Sequence, residues 1–193
     1  MKRGALIVIE GVDRTGKSTQ ARKLVPTFSI FPAEYTNFPA RETEIGKVIN
    51  SYLTNLSDEA IHLLFSANRW ERAAHIINTL EAGTTLVVDR YCYSGVAFSA
   101  SKGLDLNWCK SPDRGLPQPD RVFFLTMPFD KVLQRNGFGQ ERYEVPEFQR
   151  KVSETYDKLQ DDSWHIIDAH RYNLLLSNKK LTVKLSKELT GKL

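Results

Sequence analysis

The chain has 193 residues, 41% of them hydrophobic and 26% charged, and a net charge of +4. That length suits one domain with a substantial core, and the composition excludes a disordered, collagenous or coiled-coil chain. The apolar runs are strand-sized, far short of the ~20 residues of a membrane span, so no membrane association is expected.

The opening MKRGALIVIEG is not expected to act as a signal peptide, because its apolar stretch is short and ends at Glu10. Residues 6–9 (LIVI) are continuous and β-branched, as in a strand buried on both faces of a parallel sheet. A glycine-rich turn follows, then a helix over 17–25 stopped by Pro26. Residues 34–38 predict a second strand ended by Pro39, and 42–53 a helix. A long helix is expected over 58–81, with Ser57 as N-cap, Asp58 and Glu59 in its first turn and Gly83 after its end. Residues 84–88 read as strand and 91–102 as helix. The stretch 104–120 holds three prolines and reads as loop. Strand 122–126, helix 129–135, a break at Gly137 and Gly139, helix 146–160, strand 165–168 and a last helix over 178–189 complete the chain. Strands alternating with helices predict an α/β fold around a parallel sheet.

The positive charge fits either a solvated surface or an anionic partner. Cys92 and Cys109 form neither a C-x-x-C pair nor a framework spacing, which points to a reducing compartment and away from zinc.

Gly11-Val12-Asp13-Arg14-Thr15-Gly16-Lys17-Ser18 fits G-x-x-x-x-G-K-[ST] in full, between a strand and a helix. The glycines permit backbone angles that turn a row of N–H groups toward one anion, and the helix start adds its positive dipole end. In such a loop Lys17 reaches the β- and γ-phosphates of a nucleotide and the Ser18 hydroxyl ligates Mg2+. Arg14, beside a transferred phosphoryl group, can stabilise transition-state charge. A carboxylate repels phosphates, so Asp13 reads either as the partner of a substrate hydroxyl or as a turn former bonding backbone N–H groups.

A guanine-nucleotide switch would carry N-K-x-D, which is absent, and the D-x-x-G from Asp13 to Gly16 lies inside the loop itself. A nucleic-acid motor of this class is normally larger, and no nucleic-acid partner is expected. A small-molecule kinase remains, which needs a second anion site and a mobile cover that excludes water. Arg41 follows the second strand and Arg90 the third, while Arg69 and Arg72 lie on the long helix. Ligands of open α/β sheets sit outside the carboxyl ends of the strands, which places Lys17, Arg41 and Arg90 around one crevice. Asp89 ends the third strand, as a magnesium-side carboxylate or as a structural partner for an arginine. Phe65 and Arg69 share one helix face and could stack on a nucleobase and bond its edge. Phe65 fits the core equally well.

Six segments, in order, resemble the eukaryotic-type thymidylate kinase family of phosphate-loop nucleoside monophosphate kinases. They are residues 9–20 (IEGVDRTGKSTQ), 38–46 (FPARETEIG), 61–71 (IHLLFSANRWE), 88–102 (VDRYCYSGVAFSASK), 115–120 (GLPQPD) and 137–144 (GFGQERYE). Residues beyond 149 match only loosely, and contacts to adenine near 168–171 are not assigned. The resemblance implies a five-stranded parallel sheet in the order 2-3-1-4-5, flanked by helices. It implies one domain over 1–193, with a lid over about 135–145. The implied reaction transfers the γ-phosphoryl of Mg·ATP to dTMP, giving dTDP and ADP.

The family's roles carry over as implications. Gly11, Asp13, Arg14, Thr15, Gly16, Lys17, Ser18 and Thr19, with Arg135 and Arg142 of the lid, would meet ATP. Asp13 is similar to the carboxylate at the dTMP 3′-hydroxyl, Arg41 and Arg90 to the arginines on its phosphate. Phe65 resembles the ring stacked on thymine and Arg69 the arginine at its O4 edge. Phe38, Pro39, Ser94, Gly95, Phe98 and Tyr143 would complete the pocket, with Phe98 and Tyr143 disfavouring a ribose 2′-hydroxyl. Arg14, Lys17 and Arg90 are then the expected catalytic groups, and Ser18 and Asp89 the ligands of Mg2+, the implied cofactor. A homodimer packed through helices is implied, with Ile76, Ile77 and Leu80 serving either that interface or the core. The expected location is the cytoplasm, with the nucleus as a second compartment.

No general base is required, because the acceptor is already an anionic phosphate oxygen. A deoxynucleoside kinase is the alternative; it would need a base for its hydroxyl acceptor and no phosphate clamp. A non-catalytic nucleotide-binding module would keep Lys17 without turnover, and the set Arg14, Lys17, Ser18 and Asp89 speaks against it.

Overall fold

The buried apolar runs form the middle of one sheet in a computed structural model that describes residues 3–28, 32–52, 56–134 and 143–170. The strands β1 (Leu6–Glu10), β2 (Ala33–Asn37), β3 (Thr85–Asp89), β4 (Arg121–Thr126) and β5 (Trp164–Asp168) pair in the order β2-β3-β1-β4-β5. Every pairing is parallel, and the order is the expected one.

Alternation along the strands divides the core in two. Leu6, Val8, Leu86, Val88, Val122 and Phe124 face one helical layer; Ile7, Ile9, Val87, Phe123 and Leu125 face the other. The second face is covered by α1 (Lys17–Leu24) through Ala21 and Leu24. The first carries α3 (Asp58–Glu81), α4 (Cys92–Ala100) and α7 (Pro146–Asp157), which contribute Ala73, Ile76, Leu80, Val96, Ala97, Val152 and Tyr156. Ile76 and Leu80 therefore belong to the core, whereas Ile77 is 44% exposed.

Local chemistry sets the helix ends. Ser57 Oγ accepts from the Ala60 N–H at 3.3 Å, so α3 begins where the N-cap pattern places it. The helix expected from residue 42 begins two residues later, as α2 (Glu44–Tyr52), because Thr43 Oγ1 accepts from the Gly46 N–H at 3.1 Å and acts as the cap; residue 53 lies outside the described residues. Pro26 sits in a 3-10 turn directly after α1, as expected of a helix stop. At the end of α7, Lys158 and Leu159 donate to Thr155 and Tyr156, i→i−3 bonds that tighten the chain into a turn before residue 160.

The stretch 104–120 is not all loop. It holds α5 (Leu106–Lys110) and a 3-10 turn, Ser111–Asp113. The Asp105 carboxylate caps α5 by accepting from the Trp108 N–H at 2.7 Å, and Pro112 sits at the start of the 3-10 turn, where a missing N–H is tolerated. The helix expected over 129–135 is α6 (Phe129–Leu133). Arg135 and Arg142, most of the expected lid and the last helix over 178–189 lie outside the described residues. Among the described residues no helix is long and apolar enough to cross a membrane.

Register prepares the site. Ile9 and Asn37 both pair with Asp89, so β1, β2 and β3 end side by side. The segments that leave them, the 11–18 loop, Phe38-Pro39 and Arg90-Tyr91, therefore emerge together.

Candidate active site

At these strand ends lies a cavity of about 190 Å3, several times the ~30 Å3 of one water and so sized for a small organic ligand rather than a lone ion. Asp13, Phe38, Pro39, Arg90 and Tyr91 line it from the sheet; Phe65, Arg69, Ser94, Gly95 and Phe98 line it from α3 and α4, and Tyr143 closes it. All the expected pocket residues are thus brought together except Arg41. Arg41 is exposed, donates to Asn50 and is not among the lining residues.

The 11–18 loop begins at Gly11, where a Cβ would lie 2.6 Å from the Leu125 carbonyl, and ends at Gly16, left-handed at φ 94° at the N-terminus of α1. Lys17 turns back into it, donating to the Val12 carbonyl at 2.7 Å, and Thr15 Oγ1 bonds the same carbonyl at 2.9 Å. Burial and then the nearby Arg90 push the Lys17 ammonium down to about 8, against Asp13, Asp89 and Glu10, which hold it charged. Ser18 and Thr19 are exposed at the helix start.

Asp13 joins this loop to the cavity. Its carboxylate accepts from Arg90 and, at 2.8 Å, from Gln149 Nε2, and its N–H donates to Gln149 Oε1 at 3.0 Å. Burial favours the protonated carboxyl, but Arg90, Lys17 and Gln149 outweigh it and hold Asp13 below the usual carboxylate range. Arg14 pairs with the buried Glu144, Nη2 lying 3.2 Å from Oε2.

Arg90 has φ 65°, a left-handed conformation unusual for a side-chain-bearing residue. Its guanidinium bonds Asp13, reaches Ser94 Oγ at 3.3 Å and lies over the Phe98 ring, 5.5 Å from the centroid. Arg69 is fixed by Asp113 through two bonds of 2.9 and 2.7 Å, and Ser66 donates to the same carboxylate at 2.8 Å. Gly95 permits that placement, since a Cβ there would lie 2.8 Å from Arg69 Nη2. Phe65 is half-buried and lines the cavity. Phe98 and Tyr143 meet edge to face, 6.1 Å between centroids, and Lys102 donates to the Tyr143 hydroxyl at 2.9 Å and to Asp58 at 2.8 Å.

Asp89 is buried, and Tyr35 donates to its Oδ2 at 3.3 Å. Its Oδ1 is buried with no hydrogen-bond partner among the described residues.

Four residues that hold this site carried no expected role: Glu10, Asp113, Glu144 and Gln149. Gln149 had a signal. With Val152 and Tyr156 it makes an i, i+3, i+7 stripe on α7, so it is a polar residue within a buried face. Glu10 is likewise a lone charge at the end of an apolar strand. Nothing local marks Asp113.

The family model described as Thymidylate kinase matches residues 9–179. A thymidylate kinase of Arabidopsis thaliana is 54% identical over 172 residues, covering 86% of this chain and 65% of that relative. A human thymidylate kinase is 49% identical over 179 residues, covering 88% and 84% respectively. A solved structure of thymidylate kinase from Candida albicans superposes with a TM-score of 0.88 at 40% identity, covering 96% of this chain and 92% of that one.

Proposed function

The chain belongs to the thymidylate kinase family, and from that membership we propose that it transfers the γ-phosphoryl group of ATP to the 5′-phosphate of dTMP. The observation that carries the reading is the Asp13–Arg90 pair, which couples a nucleotide phosphate loop to an aromatic, arginine-lined cavity.

The loop N–H groups and the start of α1 would bind the donor's phosphates, with Lys17 across the β- and γ-phosphates. Arg14, with Arg135 and Arg142 from the segment 135–145, would meet charge that develops on the transferred group. Thymine would lie on Phe65, with its O4 edge toward Arg69, whose direction Asp113 sets. Arg90 would hold the acceptor phosphate. Asp13 would meet the 3′-hydroxyl, and Phe98 and Tyr143 would crowd a 2′-hydroxyl. Little covalent chemistry is asked of the protein; alignment and charge stabilisation carry the step.

The donor set fits Mg2+: one carboxylate oxygen of Asp89 that has no hydrogen-bond partner among the described residues, and the exposed hydroxyl of Ser18. Magnesium takes few protein ligands when phosphates and waters supply the rest. Bound there, the ion would neutralise charge on the phosphate oxygens.

The same reading takes residues 1–193 as one domain and the protein as a homodimer. Leu63, Trp70 and Ile77, seven apart on α3, are 47%, 42% and 44% exposed and form an apolar stripe on one face. Leu63→Glu should convert a dimer to a monomer in sedimentation equilibrium. The free thiols Cys92 and Cys109 fit the cytoplasm and nucleus, the compartments proposed.

The reaction is tested by resolving nucleotides after incubation with Mg·ATP and dTMP. Stoichiometric dTDP and ADP are expected; both nucleotides recovered unchanged would overturn the proposal.

A further inference from the structure

Glu10 is fully buried and does not itself line the cavity, yet four hydrogen bonds converge on its carboxylate. Oε1 accepts from the backbone N–H groups of Tyr91 at 2.8 Å and Ser94 at 3.2 Å. Oε2 accepts from Ser94 Oγ at 2.6 Å and from the Tyr156 hydroxyl at 2.9 Å. A buried carboxylate is costly, and a conservative apolar side chain would complete the strand as well. Its position indicates another use.

That use lies in the residue before Tyr91. Arg90 is left-handed, a conformation that is strained for a non-glycine residue and persists only where its surroundings enforce it. Two consecutive N–H bonds enforce it here, both from the end of β1. The Arg90 N–H donates to the Ile9 carbonyl at 3.0 Å, which fixes the peptide before the residue. The Tyr91 N–H donates to Glu10, which fixes the peptide after it. The second bond to Ser94 pins the first turn of α4 to the same carboxylate, so the strand-to-helix corner cannot relax.

We infer that Glu10 is a positioning residue for the acceptor phosphate: its carboxylate holds Arg90 in the left-handed conformation that aims the guanidinium at Asp13 and into the cavity. The inference rests on the role proposed for Arg90 above. Glu10 acts as an acceptor in a fixed place. Glu10 contributes least of the three carboxylates that hold Lys17 charged, so at about pH 7, below the Lys17 titration near 8, its substitution should affect the acceptor substrate through Arg90 and leave the donor's binding nearly unchanged.

The test measures steady-state kinetics of Glu10→Leu, Glu10→Gln and Arg90→Ala, singly and combined. Glu10→Leu removes both acceptors and should raise KM for dTMP by about tenfold or more, with KM for ATP changed by less than about twofold. Glu10→Gln should recover most of that loss, because its amide oxygen can take both N–H groups while the two hydroxyls rotate to accept from its amide nitrogen. On the Arg90→Ala background Glu10→Leu should add almost nothing, the signature of one residue acting through another. Equal rises in both KM values, an additive double variant, or a Glu10→Gln as impaired as Glu10→Leu would overturn the inference. If Glu10→Leu fails to fold, Glu10→Asp withdraws the acceptors by one methylene, and the same pattern is required of it. The two readings fail separately. A wild type without turnover on dTMP sinks the proposed reaction. Crystal structures of the variants decide the inference alone, Arg90 leaving φ near 65° supporting it and an unchanged φ overturning it.

Discussion

Arg69 and Asp113 form a forked ion pair inside the protein, Nε 2.9 Å from Oδ1 and Nη2 2.7 Å from Oδ2, with side-chain exposures of 2% and 5%. A buried arginine must have such a partner, and the fork also fixes the plane of the guanidinium. Asp113→Ala strands that charge and should destabilise the fold by about 3–5 kcal/mol, read from denaturant unfolding. At temperatures where the variant is folded, KM for dTMP should rise while KM for ATP holds. Unchanged stability would mean that the pair is not maintained in solution.

Arg14 sits in the phosphate loop at φ 63°, paired with Glu144. Arg14→Ala should lower kcat by about 10²-fold or more, the scale of losing one preorganised donor to transition-state charge. Single-turnover kinetics measure it directly. A near-wild-type rate would remove Arg14 from the chemistry.

Phe65→Ala should chiefly raise KM for dTMP. The ring is half-buried and faces the cavity rather than either core cluster, so its loss removes a stacking surface. Equal effects on both substrates, with a large fall in stability, would assign the ring to packing instead.

Lys17 gives a pH dependence. In the free protein its ammonium titrates near 8 instead of the ordinary 10.5. Only the charged form attracts phosphates, so kcat/KM for ATP should fall as pH rises through about 8. Bound phosphates hold the proton on, so kcat should decline only at higher pH. The unfolded chain binds more protons than the folded one between about 8 and 10.5. This lysine's contribution to stability therefore rises with pH across that window. A kcat/KM profile flat to pH 9.5, an alkaline limit set about 1.5 units above that midpoint, would contradict the account.

The sheet was legible because its strands are buried on both faces and their apolar runs are continuous. The phosphate loop was legible because its backbone demands glycine at fixed spacing. The α5 helix was hidden behind three prolines that in fact lie after it or in the 3-10 turn. The second half of the site was less visible for a different reason. Asp13 finds Gln149, Arg14 finds Glu144 and Arg69 finds Asp113 across 136, 130 and 44 residues, pairings that only the assembled sheet creates. Strand-end logic placed Arg41 beside Arg90, but it ignores side-chain direction, and Arg41 points to Asn50 on α2.

The most direct measurement is ADP release by the purified protein with Mg·ATP and one acceptor at a time: dTMP, dUMP, dGMP, AMP and thymidine. Fastest turnover with dTMP, above dUMP and far above the purine nucleotides and thymidine, is the result that the pocket of Phe65, Arg69 and Arg90 requires. Turnover with thymidine and none with dTMP would contradict it, because Arg90 would then have no phosphate to hold.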